Sequence, residues 1–94
     1  MLIVIARAVV KPENQEKFIT IAKELVTKTR EEPGNVSYTL LQGLEDNLMT
    51  FSEQWKDKAA LEEHLNMEYF KRIVPRLGAL QEGSTQMDLY TIAV

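Results

Sequence analysis

His64 is the chain's only histidine and Trp55 its only tryptophan, and they stand nine positions apart. Trp55 ends a stretch in which Phe51, Glu53 and Trp55 alternate with Thr50, Ser52 and Gln54, as the two faces of a strand do. Beyond Lys56-Asp57, Ala60, Leu61, His64 and Leu65 fall on one stripe at helical spacing. A helix folded back on that strand brings both rings into one space. A bulky aromatic beside a group that titrates near neutrality, in an apolar interior, is what a small-molecule site requires. An imidazole with its ordinary pKa near ~6.5 is suited to taking a phenolic or α-carbonyl proton.

Other residues join His64 as candidates, each with a plainer reading beside it. Trp55 and Phe51 serve as apolar walls, and a lone Trp in a small domain also anchors packing. Glu53 points to the same face as Trp55, and an inward carboxylate is costly unless paired. Arg7 or Arg72 is the expected partner, which makes an ion pair the structural alternative. Tyr38 and Tyr69 are candidate orienting donors for a substrate oxygen, with Tyr90 a weaker third. As interior tyrosines with satisfied hydroxyls they would look the same in sequence.

Much chemistry is absent. The chain has no cysteine, hence no disulfide framework, thiolate nucleophile or cysteine-built metal site. Glu62-Glu63 beside His64 do not match a known metal-ligand spacing. None of the four glycines lies in a Gly-rich turn before a helix, and no serine sits in an elbow motif. The net charge is −3 and the basic residues are scattered, so nucleic acid has no electrostatic footprint here. The apolar opening Leu2–Val10 is interrupted by Arg7, lacks a basic leader and is too short to span a bilayer. The expectation is a cytoplasmic protein without a metal or organic cofactor.

The elements that position the candidates follow from periodicity. Ninety-four residues make one small domain, 1–94, with partner burial a reasonable expectation. Leu2–Val10 is β-branched and apolar on both parities, which predicts a strand buried on both sides. Asn14 is the expected cap of a helix carrying Phe18, Ile21, Ala22, Leu25 and Thr29. Glu32-Pro33-Gly34 ends that helix, with Gly34 in a left-handed position. Val36–Leu41 and Leu48–Lys56 form a hairpin, and Asp57 caps the helix of His64. Tyr69, Phe70, Ile73, Val74 and Leu77 mark a further helical segment that Pro75 kinks or ends. Gly83-Ser84 reads as a loop and Thr85–Val94 as the last strand.

The order β-α-β-β-α-β, its second helical segment broken in two, is the ferredoxin-like split βαβ. This is an α+β fold: a four-stranded antiparallel sheet with its helices on one face. The other face is bare, and a second copy is the simplest cover. A homodimer packed sheet to sheet is therefore expected.

Glu32-Pro33-Gly34 before a strand bearing Tyr38, then Glu53-x-Trp55-x-Asp57-x-x-Ala60-Leu61-x-x-His64-Leu65, then Phe70, resembles the antibiotic biosynthesis monooxygenase domain over nearly the whole chain. The resemblance implies a dimeric α/β barrel. It also implies oxidation of phenols or quinols by molecular oxygen with no metal, flavin or other cofactor. Relatives include haem-degrading enzymes and a sugar-phosphate isomerase. The chain departs from the family pattern where Tyr69 replaces a second His, and where Phe51 replaces the Asn of polyketide-tailoring members. It offers Arg7, His64 and Val74 where the haem-degrading branch needs Asn, Trp and an axial His, which disfavours that branch.

Three functions follow as expectations. The first is a monooxygenase acting on a small apolar or aromatic substrate and O2. His64 is its base, Trp55 and Phe51 its walls and Tyr38 and Tyr69 its donors, with Glu53 and Arg72 completing the substrate-binding set. The second is a proton-transferring isomerase with a more polar pocket. The third is a dimeric module that binds a ligand without chemistry.

Overall fold

A computed structural model describes residues 1–94. The elements run β1 (Leu2–Val9), α1 (Pro12–Arg30), β2 (Asn35–Gln42), β3 (Leu48–Trp55), α2 (Lys58–Leu65), α3 (Glu68–Gly78) and β4 (Glu82–Thr91). The four strands form one antiparallel sheet in the order β2-β3-β1-β4. This is the expected α+β, ferredoxin-like arrangement. No helix is long and apolar enough to cross a membrane.

Strand parity decides which residues reach the helices. On β1, Val4, Ala6 and Ala8 are buried, and on β3 so are Met49, Phe51, Glu53 and Trp55. The pairing sets Val4 beside Glu53 and Ala6 beside Phe51 on β3, and Leu89 and Met87 beside the same two residues on β4. Phe18, Ala22 and Leu25 of α1, Ala60 and Leu61 of α2, Ile73 and Leu77 of α3, and Val10 and Tyr38 complete the core. Period-2 and period-3.6 patterns thus meet in a single apolar layer.

Several local expectations are corrected. Helix α1 starts at Pro12, not after an Asn14 cap; Lys11 holds the capping position without a side-chain hydrogen bond. Proline suits the first turn because its fixed φ is helical and its missing N–H has no intrahelical partner to lose. Asn14 instead reaches Leu80 O with its amide nitrogen. Asp57 does cap α2, accepting from Ala60 N at 2.9 Å. Pro75 lies within α3, which continues to Gly78; burial of Ile73 and Leu77 on either side of it outweighs one lost backbone bond.

Two glycines depart from their expected places. Gly34 has no positive φ. A β-carbon there would sit 2.4 Å from Cβ of Ala60, so Gly34 lets the loop after α1 press against α2. The one positive φ, 67°, belongs to Gly83, and Gly83-Ser84 lies inside β4 rather than in a loop. There the register jumps: Arg7 faces Gln86 while Val9 faces Glu82. Extra residues on one strand of a pair make a bulge, and Gly tolerates the left-handed backbone it needs.

Candidate active site

Between the sheet and the helices lies a cavity of about 180 Å³. Its walls are largely apolar: Phe18 and Leu25 of α1, Phe51 of β3, Phe70, Val74 and Leu77 of α3, and Met87 of β4. Tyr38, Glu53, Gln81 and Thr85 bring polar groups to it. A larger hollow of about 460 Å³ between α1 and β2 has Lys23 and Arg30 at its margin and holds none of the candidate residues.

Glu53 is the one carboxyl that lines the cavity. It is 5% exposed, and strand pairing places it next to Tyr38 of β2 and Val4 of β1. Neither expected arginine meets it. Arg7 belongs to the opposite parity of β1 and pairs with Asp88 at 2.8 Å. Arg72 lies on the outer side of α3 and pairs with Glu24. What Glu53 has is the indole of Trp55, whose Nε1 donates to Oε1 at 2.9 Å. Burial pushes the Glu53 carboxyl up to about 7, against the opposing pull of that indole bond. Desolvation without a counter-ion raises a carboxyl in this way.

Tyr38 is almost completely buried, and its ring centroid lies 5.5 Å from that of Phe51. Burial holds its phenol protonated far above the ordinary tyrosine range, which leaves it a neutral donor.

His64 stands behind this lining rather than in it. It is 1% exposed, with ring centroids 4.7 Å from Trp55, 4.8 Å from Phe70 and 5.5 Å from Tyr38. Its Nδ1 lies 2.8 Å from Oε2 of Glu32. The same oxygen accepts from the Tyr69 hydroxyl, which also reaches Oγ1 of Thr29 at 3.2 Å. Burial lowers the His64 pKa from its ordinary value while Glu32 acts in the opposite sense. The imidazole is therefore neutral at pH 7, with Nδ1–H donating to the carboxylate. The Tyr69 phenol is pushed up, first by burial and next by Glu32.

The predicted residues thus separate into four places. Phe51, Tyr38 and Glu53 line the cavity; Trp55 and His64 back it; Tyr69 belongs to the Glu32 cluster and Arg72 to the surface. Two participants have roles the sequence does not announce. Phe70 stands in the motif and on a helical stripe, with nothing to mark it as a wall. Glu32 belongs by sequence to a helix stop; its contact with His64 spans 32 positions, and no local spacing announces it.

Residues 1–76 match the family described as antibiotic biosynthesis monooxygenase. YcnE of Bacillus subtilis, which bears the name "Putative monooxygenase", is 36% identical over 77 residues, 81% of each protein. The protein sll1783 of Synechocystis sp. is 32% identical over 93 residues, 98% of this chain. The chain spans 63% of that relative's length. A crystal structure of an antibiotic biosynthesis monooxygenase superposes with a TM-score of 0.93 at 37% identity, covering 100% of both chains. A conserved protein of Methanosarcina mazei Go1 gives 0.91 at 33% identity, over 95% of this chain and 89% of that one. The motif around Trp55 and His64, the sheet order and these relatives agree, and the chain belongs to the antibiotic biosynthesis monooxygenase family.

Proposed function

We propose that the protein is a monooxygenase that oxidises a small hydroxylated aromatic or quinol with molecular oxygen and no cofactor. One observation carries the reading: a buried carboxyl without a counter-ion, Glu53, opens on an apolar cavity beside the Tyr38 phenol. A base poised near neutrality is efficient at taking a proton from a weak acid. Glu53 therefore takes the base's place expected of His64, which does not line the cavity.

Glu53 accepts the phenolic proton, and the phenolate gives one electron to dioxygen, forming an aryloxyl radical and superoxide. The pair recombines at a ring carbon as a peroxide. The O–O bond breaks as that carbon loses its proton and Glu53 gives the phenolic proton back to the departing oxygen, leaving a quinone oxygen, one water and an ionised Glu53. Phe51, Phe70 and Val74 keep the radical pair dry. Tyr38, a phenol that stays protonated, orients the substrate oxygen.

Size narrows the substrate. A cavity of about 180 Å³ falls below the ~300–1,000 Å³ of sites for drug-sized ligands, so one or two fused rings fit better than three. The test is oxygen uptake by metal-stripped protein with one-, two- and three-ring phenols and quinols, against a blank without protein. Uptake above the blank, greatest for one or two rings, is the expected result. Uptake equal to the blank throughout would leave a ligand-binding module. The isomerase alternative expects a more polar pocket; this cavity carries Tyr38, Glu53, Gln81 and Thr85 but no basic residue, which favours the oxygenase.

The sheet's other face supports a second copy as the partner. Ile3 and Ile5 are only half-buried, and Val9, Leu41 and Tyr90 are exposed. Strand parity puts all five on the face without helices. A second copy laid on that face would bury them. Light scattering at micromolar concentration is expected to give twice the monomer mass of 10.8 kDa. The monomer mass would exclude the dimer.

A further inference from the structure

One polar atom of the interior is left over. Nε2 of His64 is the only buried side-chain nitrogen or oxygen with no hydrogen-bond partner. Leaving such an atom unpaired costs roughly 1–3 kcal/mol. That cost is odd in a ring whose other nitrogen is so well supported. Nδ1 faces a carboxylate that is itself held by the Tyr69 hydroxyl. A carboxylate accepts hydrogen bonds and cannot donate them, so it fixes the proton on Nδ1 and the lone pair on Nε2.

Rings surround the imidazole, and no donor reaches Nε2. Trp55, Phe70 and Tyr38 all lie within 5.5 Å of the imidazole, centroid to centroid. Two of them, Phe70 and Tyr38, also form the cavity wall. Tyr38 is locked in the core, but Phe70 is only half-buried. A turn of the Phe70 ring would join the cavity to the space beside His64. Glu53 and His64 would then flank one ligand, since Trp55 donates to the former and packs against the latter.

We propose that Glu32 is a positioning residue that, with Tyr69, fixes His64 in its Nδ1–H form so that Nε2 accepts a hydrogen bond from a ligand hydroxyl reaching past Phe70. The site then has two oxygen anchors, Glu53 and His64, and a phenol or quinol presents a hydroxyl to the second. The ligand class rests on the proposed function, but the anchor itself requires no oxygen chemistry.

Because His64 is the only histidine, nitrogen NMR of uniformly labelled protein reads its two ring nitrogens without ambiguity. In the wild type the expected pattern is a protonated Nδ1 and a bare Nε2. Anaerobic addition of 1-naphthol should move the Nε2 resonance upfield, and 1-methoxynaphthalene, which has no donor, should not. Glu32→Leu should let the proton shift to Nε2 and weaken 1-naphthol binding roughly tenfold, the equivalent of one buried hydrogen bond. Glu32→Gln, which keeps an acceptor oxygen and the side chain's shape, should restore much of the Nδ1–H form. A protonated Nε2 in the wild type overturns the proposal, whatever the variants do. So does 1-naphthol that fails to bind, or that binds without moving Nε2. Working without oxygen separates the two ideas: a moved Nε2 with no oxygen uptake retires the monooxygenase and keeps the anchor, and the reverse result retires the anchor alone.

Discussion

Glu53→Gln is expected to slow oxygenation of a two-ring quinol by about 10²–10⁴-fold, the usual contribution of a positioned general base. Gln has nearly the same volume and still offers an oxygen to the Trp55 indole, so the pocket keeps its shape and loses only the base. The wild-type rate should climb through a midpoint near 7, where burial sets the Glu53 carboxyl, and the variant should show no such step. Equal turnover in both proteins would remove Glu53 from the mechanism. Stability should move in a linked way. The folded-state value of about 7 lies above the 4.5 of a free glutamate. Between those two pH values the native state holds the extra proton, so stability falls as pH rises through that window. The difference amounts to on the order of 3 kcal/mol above the midpoint and vanishes below about 4.5. Glu53→Gln should therefore be more stable than wild type at pH 8 and no more stable at pH 4, as urea denaturation would measure.

The sequence made the face legible and left the partnership hidden. Alternation from Phe51 to Trp55 put Phe51, Glu53 and Trp55 together, and they are together. Arg7 is a candidate partner for Glu53 by sequence because β1 is apolar on both parities, and nothing in such a strand says which parity faces the helices. The register decides: Arg7 lies opposite Thr50, on the far face. Arg72 was ambiguous in the same way, since a helical stripe that includes Tyr69, Phe70 and Ile73 runs right beside it. The helix ends were legible where side chains act locally, as at Asp57. They were not where a distant element sets the need, as at Gly34 against Ala60. His64 shows the limit most clearly. Its place on an apolar stripe was readable, whereas its carboxylate partner and its position behind Phe70 and Tyr38 are tertiary facts.

Trp55 is where packing and the acid–base chemistry meet. Truncation to Ala should cost about 3–5 kcal/mol, because a fully buried indole fills a volume the core cannot close. Trp55→Phe separates the two contributions. It keeps an aromatic ring against His64 but removes the only hydrogen bond to the Glu53 carboxyl. That bond is the one influence that lowers the Glu53 pKa, so its loss should drive the carboxyl above 7 and carry the midpoint of the rate profile upward with it. The stability cost should also depend on pH. Above the midpoint an ionised Glu53 is left without a donor, at about 1–3 kcal/mol beyond the packing loss. At pH 5 the protonated carboxyl bears no charge and only the packing loss remains. Rate profiles and urea denaturation of Trp55→Phe at pH 5 and pH 8 test both halves. An unmoved midpoint would mean that the indole packs beside Glu53 without tuning it. A midpoint displaced upward, together with a destabilisation that grows with pH, would make Trp55 the residue that holds a buried carboxyl near neutrality.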